Sequence, residues 1–246
     1  MNHWIYNWKK NLLMVVNILL AVYLFFAITS FNQPVDGNEL VCSQVKIDIK
    51  DAVVDGFLNA NEIKSILQKA KLYPLAQPMD KIDARKIEDV LKSSPFVNDA
   101  QCYKTQMGHV CIQLTQRTPV MRVKAENGDD YYVDNHGGVM PNSKYCSEIM
   151  IATGKVSRQY ACKVLTKLGN TIVKDKFWRN QIVQVNVLAD GTVELVPRVG
   201  EHIIYIGYPN RLTEKLARLE KFYRYGLSEA GWNKYSYINL AFENQI

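Results

Sequence analysis

Apolar residues run almost unbroken near the N-terminus. From Leu12 to Phe31 the only strongly polar side chain is Asn17. At 1.5 Å per residue this run reaches about 30 Å, the thickness of the hydrocarbon core of a bilayer. The pattern predicts a transmembrane helix over residues 12–31, preceded by a short tail of residues 1–11.

The charges on either side of this run predict its orientation. Lys9 and Lys10 precede it, whereas Asp36 and Glu39 follow it and the next basic residue is Lys46. Positive residues stay on the cytoplasmic side, so we expect residues 1–11 in the cytoplasm and the bulk of the chain outside. A cleaved secretory signal is the alternative, but such apolar runs are shorter and end in a better cleavage site.

Beyond a linker over residues 32–43, the pattern predicts a small mixed domain over residues 44–118. Apolar and polar residues alternate from Val45 to Ile49, as in a half-buried strand. Two amphipathic helices follow, and their predicted N-caps are Asn59 or Asn61 for the first and Asp83 for the second. Two strands, over 96–104 and 109–117, complete a β-α-α-β-β order, which resembles a POTRA domain.

The last two strands of this domain carry a cysteine each. With a four-residue loop over 105–108, Cys102 lies opposite Cys111, and opposed residues in an antiparallel pair come within disulfide distance. With a two-residue loop at 107–108 the register shifts and the bond cannot form. The spacing therefore predicts a disulfide between Cys102 and Cys111, with two ordinary strand cysteines as the alternative.

Residues 119–246 show short strands separated by turn signals such as Asn127-Gly128 and Asp190-Gly191. Two amphipathic helices interrupt them, and we expect these helices to end at Gly169 and Gly226. A last alternating strand runs from Tyr235 to Phe242. The fold class is therefore α+β: a transmembrane helix, a POTRA domain and a mostly antiparallel β domain whose last strand lies at a sheet edge.

Composition and short motifs indicate no catalytic or metal-binding site. Beyond Phe31 lie 28 basic and 24 acidic residues, a net charge of +4, scattered rather than clustered, which gives no reason to expect nucleic-acid binding. The five cysteines form no C-x-x-C pair, and the four histidines are dispersed. Ser43 to Lys46 match the S-x-x-K motif of penicillin-binding enzymes, but no partner motif accompanies them. We expect no metal, no cofactor and no catalytic residue.

Four segments resemble the FtsQ/DivIB family of bacterial cell-division proteins. They are QRTPVMRV (116–123), YYVDNHGGVMP (131–141), ELVPRVGEHIIYIG (194–207) and WNKYSYINLAFENQI (232–246). The resemblance covers nearly the whole chain. It implies a non-enzymatic scaffold in the inner membrane, concentrated at the division septum. Such scaffolds bind FtsB- and FtsL-type proteins and help recruit and regulate septal peptidoglycan synthesis.

The resemblance also implies where the partner binds, since in the family the final strand of the β domain receives a partner segment as an added strand. Matched to this chain, the predicted contact residues are Tyr237, Ile238, Asn239, Leu240, Ala241, Phe242, Glu243, Asn244 and Gln245. Two other classes stay open at this point. POTRA domains also occur in envelope assembly and secretion factors, and an extracytoplasmic enzyme is a third alternative.

Overall fold

A computed structural model describes residues 2–31, 40–50, 58–143, 149–243 and 245–246. Helix α1 covers Asn2–Phe31. Its stretch Asn11–Thr29 has a mean hydropathy of 2.6 and buries no residue against the rest of the protein. The helix is therefore long and apolar enough to cross a bilayer, in agreement with the predicted span.

The first domain is a three-stranded sheet with two helices on one face. Its elements are β1 (Gln44–Lys50), α2 (Ala60–Lys69), α3 (Ala84–Lys92), β2 (Val97–Lys104) and β3 (His109–Gln116). The strand order is β1-β3-β2, with β1 parallel and β2 antiparallel to the central β3. Asn59 caps α2 through a capping box with Glu62, and Asp83 caps α3, so the polar residues before each apolar stripe begin the helices as predicted.

The β2–β3 hairpin differs from the prediction by one residue. Its loop is Gln106–Gly108, with Gly108 at a φ of +73°, and the Thr105 N–H donates to the His109 carbonyl. This loop type sets Cys102 opposite Ile112 and Cys111 opposite Tyr103.

The predicted disulfide is therefore not formed, because this one-residue shift turns the two cysteines to opposite faces of the sheet. Both thiols are free, and Cys102 lies in the core. Burial raises the pKa of Cys102 to about 11, which keeps this thiol protonated.

The second domain is an eight-stranded sheet whose order is β11-β10-β9-β8-β7-β4-β5-β6. The strands are β4 (Pro119–Lys124), β5 (Asp130–Asp134), β6 (Val139–Pro141), β7 (Ile151–Gly154), β8 (Ile182–Val187), β9 (Val193–Pro197), β10 (Ile203–Gly207) and β11 (Tyr237–Asn239). Four of the seven neighbouring pairs are antiparallel, whereas β4–β7, β7–β8 and β10–β11 are parallel. Helical segments connect β7 to β8 and β10 to β11, and these crossovers return the chain parallel in two of the three pairs.

Two helical segments cover the inner face of this sheet. The first comprises α4 (Arg158–Tyr160), a π-helical turn (Ala161–Leu165), α5 (Thr166–Lys174) and α6 (Lys176–Gln181). The second comprises α7 (Leu212–Lys221), a π-helical turn (Phe222–Leu227) and α8 (Ser228–Ala230). Their apolar residues and those of the strands form one continuous core.

Both glycines predicted to end these helices lie inside them. A Cβ on Gly169 would lie 3.3 Å from a Val120 methyl group, so the missing side chain lets α5 approach β4 closely. Gly226 lies in the second π-helical turn, where a Cβ would lie 2.6 Å from the Phe222 ring. The helix ends instead at Gly231, whose φ is +93°.

An ion pair between the partly buried Arg117 and the buried Asp134 joins the two domains. The Arg117 guanidinium donates from Nε to Asp134 Oδ2 at 2.7 Å, and its Nη1 donates to the Pro95 carbonyl of the first domain and to the Val139 carbonyl of the second. The other oxygen of Asp134 accepts the Gly138 N–H at 2.6 Å. Arginine thus bridges the segment before β2 and the β5–β6 turn.

A buried aromatic cluster lies where β10 begins, next to β11. His202 Nε2 is 2.6 Å from the Tyr223 hydroxyl, and the Tyr223 ring packs against Trp178 and Trp232. His202 Nδ1 is buried without a hydrogen-bond partner among the described residues. Burial lowers the pKa of His202 below its usual 6.5, because the charged imidazolium is poorly solvated there.

We expect Arg117→Ala to reduce the free energy of unfolding by about 3 kcal/mol, because it leaves the Asp134 carboxylate buried without a cation. The matched control is Arg224→Ala, which breaks the exposed pair with Glu220 and should cost less than about 1 kcal/mol. Urea unfolding of the detergent-solubilised chain, followed by circular dichroism, measures both values. Equal losses in the two variants would show that the junction is not held by this pair.

We expect the second domain to lose stability as the pH falls from 7.0 toward 5.5. His202 has a lowered pKa in the folded state, so the unfolded chain takes up the proton first and folding weakens below about pH 6.5. The urea midpoint, followed by near-ultraviolet circular dichroism of the aromatic cluster, should fall less in His202→Gln than in the parent. The same fall in both proteins would show that protonation of His202 does not cause the loss of stability.

Candidate partner-binding edge

Strand β11 is the last strand at one end of the eight-stranded sheet. It runs parallel to β10, with Ile203 opposite Tyr237 and Tyr205 opposite Asn239. The predicted strand over residues 235–242 is therefore shorter in the structure, where the ladder covers three residues. Among the described residues no further strand pairs with its outer side, so the edge is open as predicted.

The hydrogen bonds to β10 show which backbone groups face outward. The Ile203 N–H donates to the Ser236 carbonyl at 3.0 Å, and the Leu240 N–H donates to the Tyr205 carbonyl at 2.8 Å. Residues alternate along a strand, so the N–H and C=O groups of Tyr237 and Asn239 point away from β10. These four groups form the exposed part of the edge.

Side chains divide β11 into an inner and an outer face. Ile238 and Leu240 are buried in the core and fix the strand to the domain. The Tyr237 ring stacks on Tyr205, with centroids 6.0 Å apart, and Ile203 is exposed beside them. An apolar surface therefore flanks the open backbone on its solvent side, where a partner side chain would pack.

Arg218 of α7 ends the ladder. Its guanidinium donates to the carbonyls of Leu240 at 3.2 Å, Phe242 at 2.7 Å and Gln245 at 3.4 Å. The Ala241 N–H in turn donates to the Asn239 side-chain oxygen at 2.9 Å. The backbone after Asn239 is thus satisfied by side chains and bends away from the strand direction.

Two other basic residues of the same region support this arrangement. Arg211, just before α7, pairs with Glu214 and Glu243, and these carboxylates raise the pKa of Arg211. Lys215 is buried and donates to the Ile206 and Tyr208 carbonyls, both at 2.8 Å. Burial lowers the pKa of Lys215, while its hydrogen bonds hold the exit of β10 against α7.

The predicted contact residues fall into three groups. Tyr237 and Asn239 present the open backbone, whereas Ile238 and Leu240 face the core and contribute no accessible side chain. Beyond the strand, Ala241, Phe242, Glu243 and Gln245 are exposed, and Asn244 lies outside the described residues.

The arginine contacts were missed in the sequence analysis. Arg211, Lys215 and Arg218 are spaced at i, i+4 and i+7, which places them along one side of a helix. That stripe was a usable signal, but the contacts of Arg218, with Leu240 and the residues after it, lie more than twenty residues away in sequence. Among the described residues, no three His, Cys, Asp or Glu side chains gather in a way that could hold a metal ion.

Two family models match the chain in the order that the fold displays. A POTRA-like domain matches residues 40–115, which is the first domain described above. The model described as FtsQ/DivIB, C-terminal related, matches residues 118–246, the second domain and its open edge. Comparison with curated proteins found no match.

The second match alone covers more than half of the chain, and the apolar helix α1 fits a single-pass membrane protein of this kind. On these grounds the chain belongs to the FtsQ/DivIB family.

Proposed function

We propose that this protein is a non-enzymatic scaffold of the bacterial division machinery that binds its partners by strand addition at β11. The family points to a division scaffold, and the partners proposed here are FtsB- and FtsL-type proteins. In this proposal α1 anchors the chain in the inner membrane, with residues 1–11 in the cytoplasm. The two domains lie outside, at the septum, where they help recruit and regulate peptidoglycan synthesis.

The single observation that carries this proposal is the outward-facing backbone of Tyr237 and Asn239 at the end of the sheet. An added strand would hydrogen-bond to these groups, and its alternate side chains would pack against Tyr237, Tyr205 and Ile203. Main-chain bonds would supply general affinity, while the aromatic pair would supply selectivity. The exposed residues 241–243 and 245 would then contact the partner where it leaves the strand.

The experiment separates the outward N–H of Tyr237 from its side chain. Tyr237→Pro removes the N–H, which bonds to nothing in β10, whereas the matched Tyr237→Ala keeps it and removes only the ring. The chain and its own FtsB- and FtsL-type partners are expressed and purified in detergent. The dissociation constant of their complex is then measured for each variant.

We expect Tyr237→Pro to weaken the complex by about tenfold or more, because a partner carbonyl would be left without its hydrogen bond. Tyr237→Ala should weaken it less. Hydrogen exchange at the Ile203 amide, which bonds to Ser236, checks that β10 and β11 still pair. Unchanged affinity in the proline variant, with that amide still protected, would remove β11 as the binding edge.

A further inference from the structure

Three segments meet at one end of the first domain. They are residues 40–43, which enter from α1, the loop over 74–79, and the hairpin turn over 106–108. The Ser43 N–H donates to the Gly108 carbonyl at 2.8 Å, and the Met79 N–H donates to the Leu40 carbonyl at 2.8 Å. These bonds join the entry of the chain, the loop and the turn into one surface, here named the tether end.

The tether end carries the exposed apolar surface of this domain. In the described part of residues 40–116, the large apolar side chains that are exposed are Met107 (80%), Val41 (47%), Tyr103 (47%) and Leu75 (45%). Three belong to the tether end itself, and Tyr103 lies in β2, four residues before Met107. Single exposed apolar residues are common, but their concentration on one surface marks a contact site.

The covalent chain keeps this end close to the bilayer. Phe31, the last residue of α1, and Leu40 are nine peptide steps apart, which can span at most about 32 Å. A domain of this size is about 25–30 Å across. Strand β3 begins at the tether end, and its eight residues carry the chain about 26 Å away toward the second domain. The tether end is therefore within reach of the membrane surface, and an orientation with β3 leading away from the bilayer fits the length of the chain.

The charge at this end is modestly positive. Within three positions of the three segments the sequence carries Lys46, Lys71, Lys81 and Lys104, against Glu39 and Asp80. Lys104 Nζ also donates to the Met79 carbonyl at 2.6 Å, so its charge is held against the domain. Each lysine near an anionic surface contributes only a modest attraction, so the electrostatic part of a lipid contact is secondary to the apolar side chains.

We propose that the tether end rests on the lipid surface of the membrane that α1 spans, with Met107, Leu75, Val41 and Tyr103 in the interfacial layer. Tyrosine suits this layer because its ring is apolar and its hydroxyl is polar. The contact orients the first domain so that β3 leads the second domain away from the bilayer. The proposal requires that α1 crosses the membrane, but it does not depend on the division partners.

The test uses the full chain reconstituted into vesicles of phosphatidylcholine and anionic phosphatidylglycerol that contain a lipid with a photoactivatable diazirine in its upper acyl chain. After irradiation, lipid adducts are mapped by peptide mass spectrometry. Adducts on α1 confirm insertion. We expect adducts on the peptides that contain Met107 and Leu75 to exceed those on the peptide containing Tyr225 by about tenfold. Tyr225 is a matched reference, since it is 73% exposed but lies in the second domain.

Two matched variants test the apolar character of the contact. Met107→Asp should reduce adducts at the tether end by about tenfold, whereas Tyr225→Asp should leave them unchanged. Leu75→Asp, in a separate loop, serves the same purpose if the hairpin turn does not tolerate aspartate. Adducts should also persist in high salt.

Two outcomes would overturn the proposal. Tether-end adducts no more abundant than those at Tyr225 would show that this surface faces water rather than lipid. Loss of the adducts in high salt would show an electrostatic contact instead of an apolar one.

Discussion

Backbone groups at the end of a β-sheet need partners, and this constraint shapes both domains. At the outer side of β2, the Cys102 N–H donates to Glu88 Oε1 of α3 at 2.7 Å, so a side chain closes the edge. After β11, Arg218 and Asn239 do the same for the last residues of the chain. Just before the groups that Arg218 and Asn239 satisfy lies a short window of open backbone at Tyr237 and Asn239. It gives the second domain a surface to which another strand could be added.

The window depends on packing that lies well behind it. Ile238 and Leu240 insert into the core, and the His202–Tyr223 pair packs beneath the start of β10, the strand that supports β11. The Arg117–Asp134 pair fixes the other part of the sheet to the first domain. A buried carboxylate and a buried histidine are costly unless their hydrogen bonds are met, so both sites are sensitive to single substitutions.

Features set by neighbouring residues were predictable from the sequence, and features set by distant contacts were not. Asn59 and Asp83 begin helices because their side chains accept nearby backbone N–H groups. Gly169 and Gly226 were misread as helix ends, because the sequence does not show the Val120 and Phe222 side chains beside them.

The predictions of the register between the two cysteine strands and of the length of the last strand were wrong for related reasons. A left-handed Gly108 changed the loop type by one residue, and Arg218, whose contacts lie more than twenty residues away, ended β11 early. The position of the strand at the sheet edge was predicted. Its parallel direction was not, because it depends on the helical connection from β10.

Because β11 is short, it limits the affinity with which a single added strand could bind. Four outward backbone groups, at a net 0.5–1.5 kcal/mol for each hydrogen bond, amount to about 2–6 kcal/mol, which alone corresponds to roughly millimolar affinity. In the proposed strand addition, such a weak contact would suffice if both proteins were anchored in one bilayer, because co-anchoring raises their effective concentration to a comparable level. The membrane anchor would then be part of the recognition itself, and the short strand would give a complex that forms at high local density and dissociates when its members disperse.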